Sequence, residues 1–164
     1  MKTTKDLPVL GQGFHWQDLE VGQRFQTLRR TVTEADLVGF IGVTGMLEAM
    51  FIDAEPLAGG IGGRPVPAAL TYSLIEGFIL QTMIQGTGLA MLELTQKIHG
   101  PVRVGDTIHA VVEVTGIKPT SKGGRAVVDS SIGVFNQRNE HVMTYTARRM
   151  LAGRAASQAN REES

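Results

Sequence analysis

The chain contains no cysteine, which excludes disulfides, thiolate nucleophiles and cysteine-bound metals. It also has no excess of charge, because sixteen lysines and arginines balance sixteen aspartates and glutamates. A balanced chain has no overall field that would attract nucleic acid or an anionic membrane surface. We therefore expect no nucleic-acid partner, and any chemistry must come from oxygen and nitrogen groups.

Long apolar runs are missing as well. The longest, near residues 78–80, is interrupted by Thr, Gln and Gly, well short of the roughly 20 residues that span a bilayer. The first twelve residues carry two lysines but no apolar stretch of the kind found in a secretory signal. These absences predict a cytoplasmic protein that does not contact a membrane. Its 164 residues suit one domain with one core.

The first half of the chain predicts one strand and two helices. Residues 24–32 alternate loosely between apolar and polar, which is typical of a half-buried strand. Thr33 offers an N-cap hydroxyl with Asp36 three positions later, and Gly45 is suited to end the helix that follows. Pro67 can begin a second helix over residues 68–85. Since that segment is apolar on nearly every side, we expect the second helix to be buried.

After Gly88 the pattern changes to strands. Four segments rich in Val, Ile, Thr and Leu are separated by turn residues, and they cover residues 89–98, 107–117, 125–135 and 141–151. A buried helix followed by an antiparallel meander predicts an α+β fold, with one long central helix wrapped by a curved sheet. We assign residues 1–15 to a lead-in, 16–152 to the domain and 153–164 to a disordered tail.

Short sequence landmarks follow one another along residues 16–151. They are LEVGQ at 19–23, TVTEAD at 31–36, TG at 44–45 with Asp53, GRPV at 63–66, GPVRVGDT at 100–107 and NQRNE at 136–140. In this order and spacing the chain resembles the MaoC-like (R)-specific enoyl-CoA hydratases, which have a hot-dog fold. The resemblance implies an acyl-CoA ligand, no cofactor and a homodimer or higher homo-oligomer. A metal is not expected, because the four histidines show no metal-ligand spacing.

The segment after Thr44 departs from the family pattern. The family reads G-D-x-N-P-x-H-x-D there, with the Asp and His activating water, whereas residues 45–53 read GMLEAMFID. Met46 and Phe51 stand at those two positions, and neither side chain can carry a proton. Glu48 and Asp53 are our candidates for a substitute catalytic pair, since they lie in this segment and repeat its five-residue spacing. The alternative is that Glu48 pairs with an arginine and Asp53 caps a turn.

The resemblance also implies where a substrate binds. In such folds the thioester carbonyl is held by backbone N–H groups at the start of the central helix, which here means Ala68, Ala69 and Leu70. Met46 and Phe51 are candidates for contact with the acyl chain, because ligand pockets are largely apolar. Core packing explains those two side chains equally well.

Three functions remain open from the sequence. The first is an enzyme, a MaoC-like hydratase or dehydratase and therefore a lyase, with Glu48 as a displaced acid and base. The second is a non-catalytic acyl-CoA-binding or accessory subunit. The third is an acyl-CoA thioesterase in which Glu48, Asp53 or Glu76 activates water. His99 ends a strand, where it can reach a subunit interface or simply be solvated.

Overall fold

The protein is described from a computed structural model, which covers residues 9–55, 57–121 and 124–154. The predicted lead-in is therefore described only from residue 9, and the predicted tail only to residue 154. These ranges contain three α-helices: α1 is Glu34–Thr44, α2 is Ala49–Ile52 and α3 is Ala68–Gln81. A short 3-10 turn, Trp16–Asp18, precedes the first strand. Within these ranges no helix is both long and apolar enough to cross a membrane.

The ends of α1 lie where the sequence predicts them. The Asp36 N–H donates to the Thr33 hydroxyl at 3.2 Å, and the Thr33 N–H donates back to the Asp36 carboxylate at 2.8 Å. This reciprocal capping box satisfies two backbone donors that a helix start otherwise leaves free. Gly45 ends the helix in the left-handed conformation, with φ of 72°. Local sequence signals were therefore sufficient for this helix.

The central helix α3 is one turn shorter than predicted. It ends at Gln81 rather than at residue 85. The N–H of Ile84 bonds the carbonyl of Ile79, five residues back, at 3.1 Å, and this wider turn interrupts the α-helical ladder. Gly86, with φ of 72°, then helps the chain turn into the sheet.

In the described part of the chain, six strands form one antiparallel sheet. They are β1 (Arg24–Gln26), β2 (Arg30–Thr31), β3 (Gly88–Ile98), β4 (Thr107–Pro119), β5 (Arg125–Phe135) and β6 (His141–Ala152). Their order across the sheet is β1-β4-β5-β6-β3, and β2 also pairs with β4. The four long strands confirm the four segments predicted from the second half of the sequence.

The single strand predicted over residues 24–32 is wrong, because the segment is broken into β1 and β2. From Gln26 to Arg30 the chain advances four residues while β4 advances three, from Val111 to Ile108. The extra residue makes a bulge. At the break, the Thr27 hydroxyl accepts the Ala110 N–H at 2.8 Å and so replaces a backbone acceptor.

The core lies between α3 and one face of the sheet. Ile75 and Ile79 of α3 are buried in one cluster with alternate residues of β4, β5 and β6. Tyr72 of α3 packs edge-on against Tyr145 of β6, with ring centroids 5.1 Å apart. The structure thus confirms the α+β class, with a long central helix packed on one antiparallel sheet. The first turn of this helix adjoins a cavity.

Candidate functional site

A cavity of about 490 Å³, which we call the main cavity, lies beside the first turn of α3. Its size falls in the range of small-molecule pockets, which are mostly apolar with a few placed polar groups. The lining comes from α2, the start of α3, the segment after β3 and the start of β6. It consists of Met50, Phe51, Ile61, Pro65, Val66, Ala68, Thr71, Ile98, His99, Gly100, Pro101, Val102, Val142 and Met143. No carboxylate lines this cavity among the described residues.

The start of α3 has open hydrogen-bond donors. Pro67 is the N-cap residue and offers no side-chain cap. The Leu70 N–H donates to the Pro67 carbonyl at 2.9 Å, whereas the N–H groups of Ala68 and Ala69 have no backbone acceptor within the described ranges. The first N–H groups of a helix lack intrahelical partners and carry its positive dipole end. Ala68 lines the cavity, so this turn can hold a carbonyl oxygen or an anion there.

Arg103 fixes the glycine-rich loop that closes one side of the cavity. Its guanidinium donates to the carbonyl of Ile61 at 3.1 Å and to that of Gly62 at 2.9 Å. Ile61 lines the main cavity, and it also lines a second cavity of about 270 Å³ next to it. Arg64, at the end of this loop, forms an ion pair with Glu34 of α1. The loop is therefore held from two directions.

The residues predicted to contact substrate occupy different environments. Phe51 is half-buried and lines the cavity together with Ala68. Ala69 is half-buried beside Ala68, and Leu70 is buried with its N–H already bonded. Met46 is 40% exposed and does not belong to the lining. The cavity thus brings together Phe51 and the first turn of α3 but not Met46.

Both predicted catalytic carboxylates cap local backbone. The Glu48 carboxylate accepts the Met50 N–H at 2.9 Å and caps α2. The Asp53 carboxylate accepts the Glu55 N–H at 2.9 Å, and Asp53 lines the second cavity. Both side chains are exposed. The structure does not place them together in the main cavity, and their catalytic role stays a prediction.

His99 lines the cavity, but its ring points elsewhere. Its Nε2 bonds the hydroxyl of Thr144 at 2.8 Å. Thr144 lies between Met143 and Tyr145, whose buried side chains face α3, so the Thr144 hydroxyl and the His99 ring lie on the opposite side of the sheet. Loss of hydration lowers the pKa of His99, and the charges of His141 and Lys97 lower it further. The ring is therefore not aimed at the first turn of α3.

Glu76, in the middle of α3, forms a buried ionic cluster. Its two carboxylate oxygens accept from the Arg149 guanidinium at 2.9 and 2.8 Å, and one also accepts the Tyr145 hydroxyl at 3.0 Å. Glu76 does not line the main cavity. Because three hydrogen bonds already engage its two oxygens, this carboxylate is poorly suited to activating water.

Sequence reasoning missed Thr71 and the segment around Gly100 and Pro101, which also line the cavity. Thr71 carried no signal, since it is one polar residue in an apolar helix. In the sequence, the Gly100-Pro101 landmark indicates only the family resemblance. Both become visible only when α3 is packed against the sheet.

The comparisons with known proteins agree with this architecture. The model of the FAS1-like, dehydratase domain region family matches residues 20–145. The "3-hydroxybutyryl-CoA dehydratase" of Methylorubrum extorquens is 27% identical over 119 residues, which cover 73% of this chain and 75% of that protein.

Solved structures show the same fold. The MaoC-like dehydratase from Rhodospirillum rubrum superposes with a TM-score of 0.78 at 25% identity, over 88% of this chain and all of that one. A Mycobacterium tuberculosis protein described as having a double hot-dog fold gives a TM-score of 0.76 at 18% identity, over 87% of this chain and 45% of that one. These matches confirm the resemblance drawn from the sequence. The chain belongs to the FAS1-like, dehydratase domain region family and has a hot-dog fold.

Proposed function

We propose that the chain is an enoyl-CoA hydratase or 3-hydroxyacyl-CoA dehydratase that binds its acyl-CoA thioester at the start of α3. The observation that carries the proposal is the pair of open N–H groups, of Ala68 and Ala69, beside a largely apolar cavity. Negative charge develops on the thioester oxygen during hydration, and fixed N–H donors at a helix start stabilise it. The names of the dehydratase relatives support the same chemistry.

Glu48 is our proposed proton-transfer group. It is the N-cap of α2, and its carboxylate accepts the N–H of Met50, which lines the cavity together with Phe51. Only one of its carboxylate oxygens accepts the capping N–H, which leaves the other for a water molecule. Asp53 is the weaker candidate because it lies at the second cavity.

One observation favours a second function, an acyl-CoA-binding or accessory subunit without catalysis. Glu48 and Asp53 both serve as local caps, and the main cavity has no carboxylate in its described lining. A cavity of this kind can still bind a thioester through the N–H groups of α3. Binding and turnover must therefore be measured separately.

The test first titrates the wild-type chain with 3-hydroxybutyryl-CoA and but-2-enoyl-CoA in a calorimeter, which measures binding. Separate assays then measure hydration, dehydration and the release of free CoA. We expect both ligands to bind and to interconvert. Binding without interconversion would favour the accessory function, and release of free CoA would indicate a thioesterase. If neither thioester binds, the proposal is wrong.

Glu48→Gln separates the proton-transfer role from the capping role. The amide oxygen of glutamine can still accept the Met50 N–H, but the side chain no longer titrates. We expect turnover to fall at least about 100-fold, the lower range for general acid and base groups, with little change in folding. Asp53→Asn makes the same change at the weaker candidate, and we expect it to retain turnover. Full activity in Glu48→Gln would remove Glu48 from the mechanism.

We also propose that two copies associate through β3. Within the described residues this strand pairs on one side only, with β6, and its apolar side chains are exposed: Leu89, Met91, Leu92, Leu94 and Ile98. An open edge with apolar side chains favours pairing with another strand. Light scattering should give about twice the 17.7 kDa of one chain, and a monomer at micromolar concentration would contradict the proposal.

A further inference from the structure

The hydroxyl of Thr71 is an unusual polar group in the main cavity. Thr71 and His99 have the only polar side chains in its described lining, and the His99 ring is bonded to Thr144. Thr71 lies in the first turn of α3 and is 2% exposed. A hydroxyl buried to that extent is normally hydrogen-bonded.

Other hydroxyls on these helices bond to their own backbone. Thr44, Ser73 and Thr82 each donate to the carbonyl four residues back, at 2.6 to 2.7 Å. The Thr71 hydroxyl makes no such bond among the described residues, although its own N–H contacts the Pro67 carbonyl at 3.3 Å. Its hydrogen-bonding capacity is therefore left for a group from outside the chain.

The Thr71 hydroxyl is also not sealed inside the core. Four side-chain atoms in the described ranges are both inaccessible and without a partner, namely Trp16 Nε1, Thr87 Oγ1, His109 Nδ1 and Arg149 Nε. Thr71 Oγ1 is not one of them. Since Thr71 lines the cavity, its hydroxyl retains access through that space. A molecule in the cavity can reach it.

The position of Thr71 relative to Ala68 determines which part of a bound thioester its hydroxyl can reach. Residues three apart lie on the same side of a helix, with a rise of about 4.5 Å between them. A carbonyl oxygen bound at the N–H groups of Ala68 and Ala69 would leave the next two carbons of its acyl chain near Thr71. A hydroxyl on the third carbon would then meet a side chain that can both donate and accept a hydrogen bond.

We propose that Thr71 hydrogen-bonds the 3-hydroxyl of a hydroxyacyl thioester and so makes the cavity select hydroxylated over saturated acyl chains. The inference rests on the proposed binding of a thioester at Ala68 and Ala69. It does not require turnover, because selection is a property of binding. Thr71 is thereby a specificity-determining residue rather than a group that moves a proton.

The experiment compares 3-hydroxybutyryl-CoA with butyryl-CoA by calorimetry, in wild type, Thr71→Val and Thr71→Ser. Valine keeps the shape of threonine and removes the hydroxyl, whereas serine keeps the hydroxyl and removes the methyl group. We expect Thr71→Val to weaken 3-hydroxybutyryl-CoA binding about 3- to 10-fold, as expected for one hydrogen bond. Butyryl-CoA should change less than about 2-fold, and Thr71→Ser should keep most of the wild-type preference.

The outcomes separate this inference from the proposed function. Equal weakening of both ligands in Thr71→Val, or no weakening of either, would overturn the role of Thr71 while leaving thioester binding intact. Failure of the wild type to bind either ligand would overturn both proposals. Thr71→Ala provides a second hydroxyl-free variant if valine prevents folding, and it must show the same selective loss.

Discussion

The first turn and the middle of α3 differ in whether their polar groups are hydrogen-bonded within the protein. In the first turn, the N–H groups of Ala68 and Ala69 have no backbone acceptor among the described residues, and Thr71 lines the main cavity. In the middle of the helix, the Glu76 carboxylate accepts hydrogen bonds from Arg149 and Tyr145, and we call these three residues the closed cluster. One helix therefore carries both open and closed polar groups. The open groups adjoin the main cavity, which is where a ligand is expected, and the closed groups hold the helix on the sheet.

The closed cluster contributes to stability only as a complete set. Glu76 is 7% exposed and Arg149 is 4% exposed, so either charge left alone would be buried without compensation. Burial raises the pKa of the Tyr145 hydroxyl, and the neighbouring Glu76 charge raises it further. Tyr145 thus stays protonated and can continue to donate to the carboxylate.

The largest effect on the free energy of unfolding is expected from removing one charge of the closed cluster. Arg149→Met leaves the Glu76 charge with only the Tyr145 hydroxyl, and we expect it to lower the free energy of unfolding by about 3–5 kcal/mol. Urea unfolding at pH 7 measures this. The double variant Glu76→Leu with Arg149→Met should recover most of the loss, since no lone charge remains. A loss of less than about 1 kcal/mol in Arg149→Met would show that the cluster is not closed as described.

The second largest effect is expected on kcat, from removing the backbone N–H of Ala68. Ala68→Pro deletes one N–H at the first helical position, where proline is tolerated. Pro67 has φ of −54° and ψ of 137°, which is already compatible with a following proline. We expect kcat for hydration to fall about 100- to 1000-fold, as for the loss of one oxyanion donor. Ala68→Gly keeps the N–H and should stay close to wild type, and similar losses in both variants would contradict the donor role.

The start of α1 provides a closed helix end for comparison. Thr33→Ala removes the hydroxyl that caps α1, and we expect a loss of about 0.5–2 kcal/mol in the free energy of unfolding. Thioester affinity should not change, because this helix start is closed by its own side chains and does not line the cavity. Calorimetry on the variant checks this. A weaker thioester affinity would mean that the two helix starts are not separate in function.

The smallest effect is a pH dependence at the same capped end. Partial burial raises the pKa of Asp36, but bonds from Thr33 and the Arg30 charge outweigh it, so the pKa lies below its usual value. The Asp36 carboxylate therefore binds a proton more readily in the unfolded chain than in the folded one. Its contribution to the free energy of unfolding is complete above about pH 4 and is lost as pH falls through the pKa of the folded state. In urea unfolding, the difference between wild type and Asp36→Asn should narrow from pH 7 to pH 3. A constant difference would contradict this assignment.

Local signals predicted the features that depend on neighbouring residues. The capping pair of Thr33 with Asp36 and the terminal Gly45 fixed α1, because a few adjacent residues satisfy the ends of a helix. The strand prediction over 24–32 failed because the bulge depends on Thr27 bonding to Ala110, which lies 83 residues away. A pattern read along one strand cannot show where its partner shifts register.

The candidate site was only partly predictable. The open N–H groups followed from the resemblance and from the general chemistry of helix starts. The role of Glu48 as an N-cap does not follow from the sequence, since glutamate is not among the preferred residues for that position. Thr71 gave no signal at all, because the sequence does not reveal which helical hydroxyl lacks a bond to the carbonyl four residues back. Its role depends on the packing of α3 beside the cavity.

A crystal structure with bound 3-hydroxybutyryl-CoA tests the central claim most directly, which is that the thioester binds at the open start of α3. The account predicts the thioester oxygen at about 3 Å from the backbone nitrogen of Ala68 or Ala69. It also predicts the acyl chain in the cavity lined by Phe51 and Thr71. A thioester bound elsewhere, with both of these N–H groups facing only water, would contradict the claim.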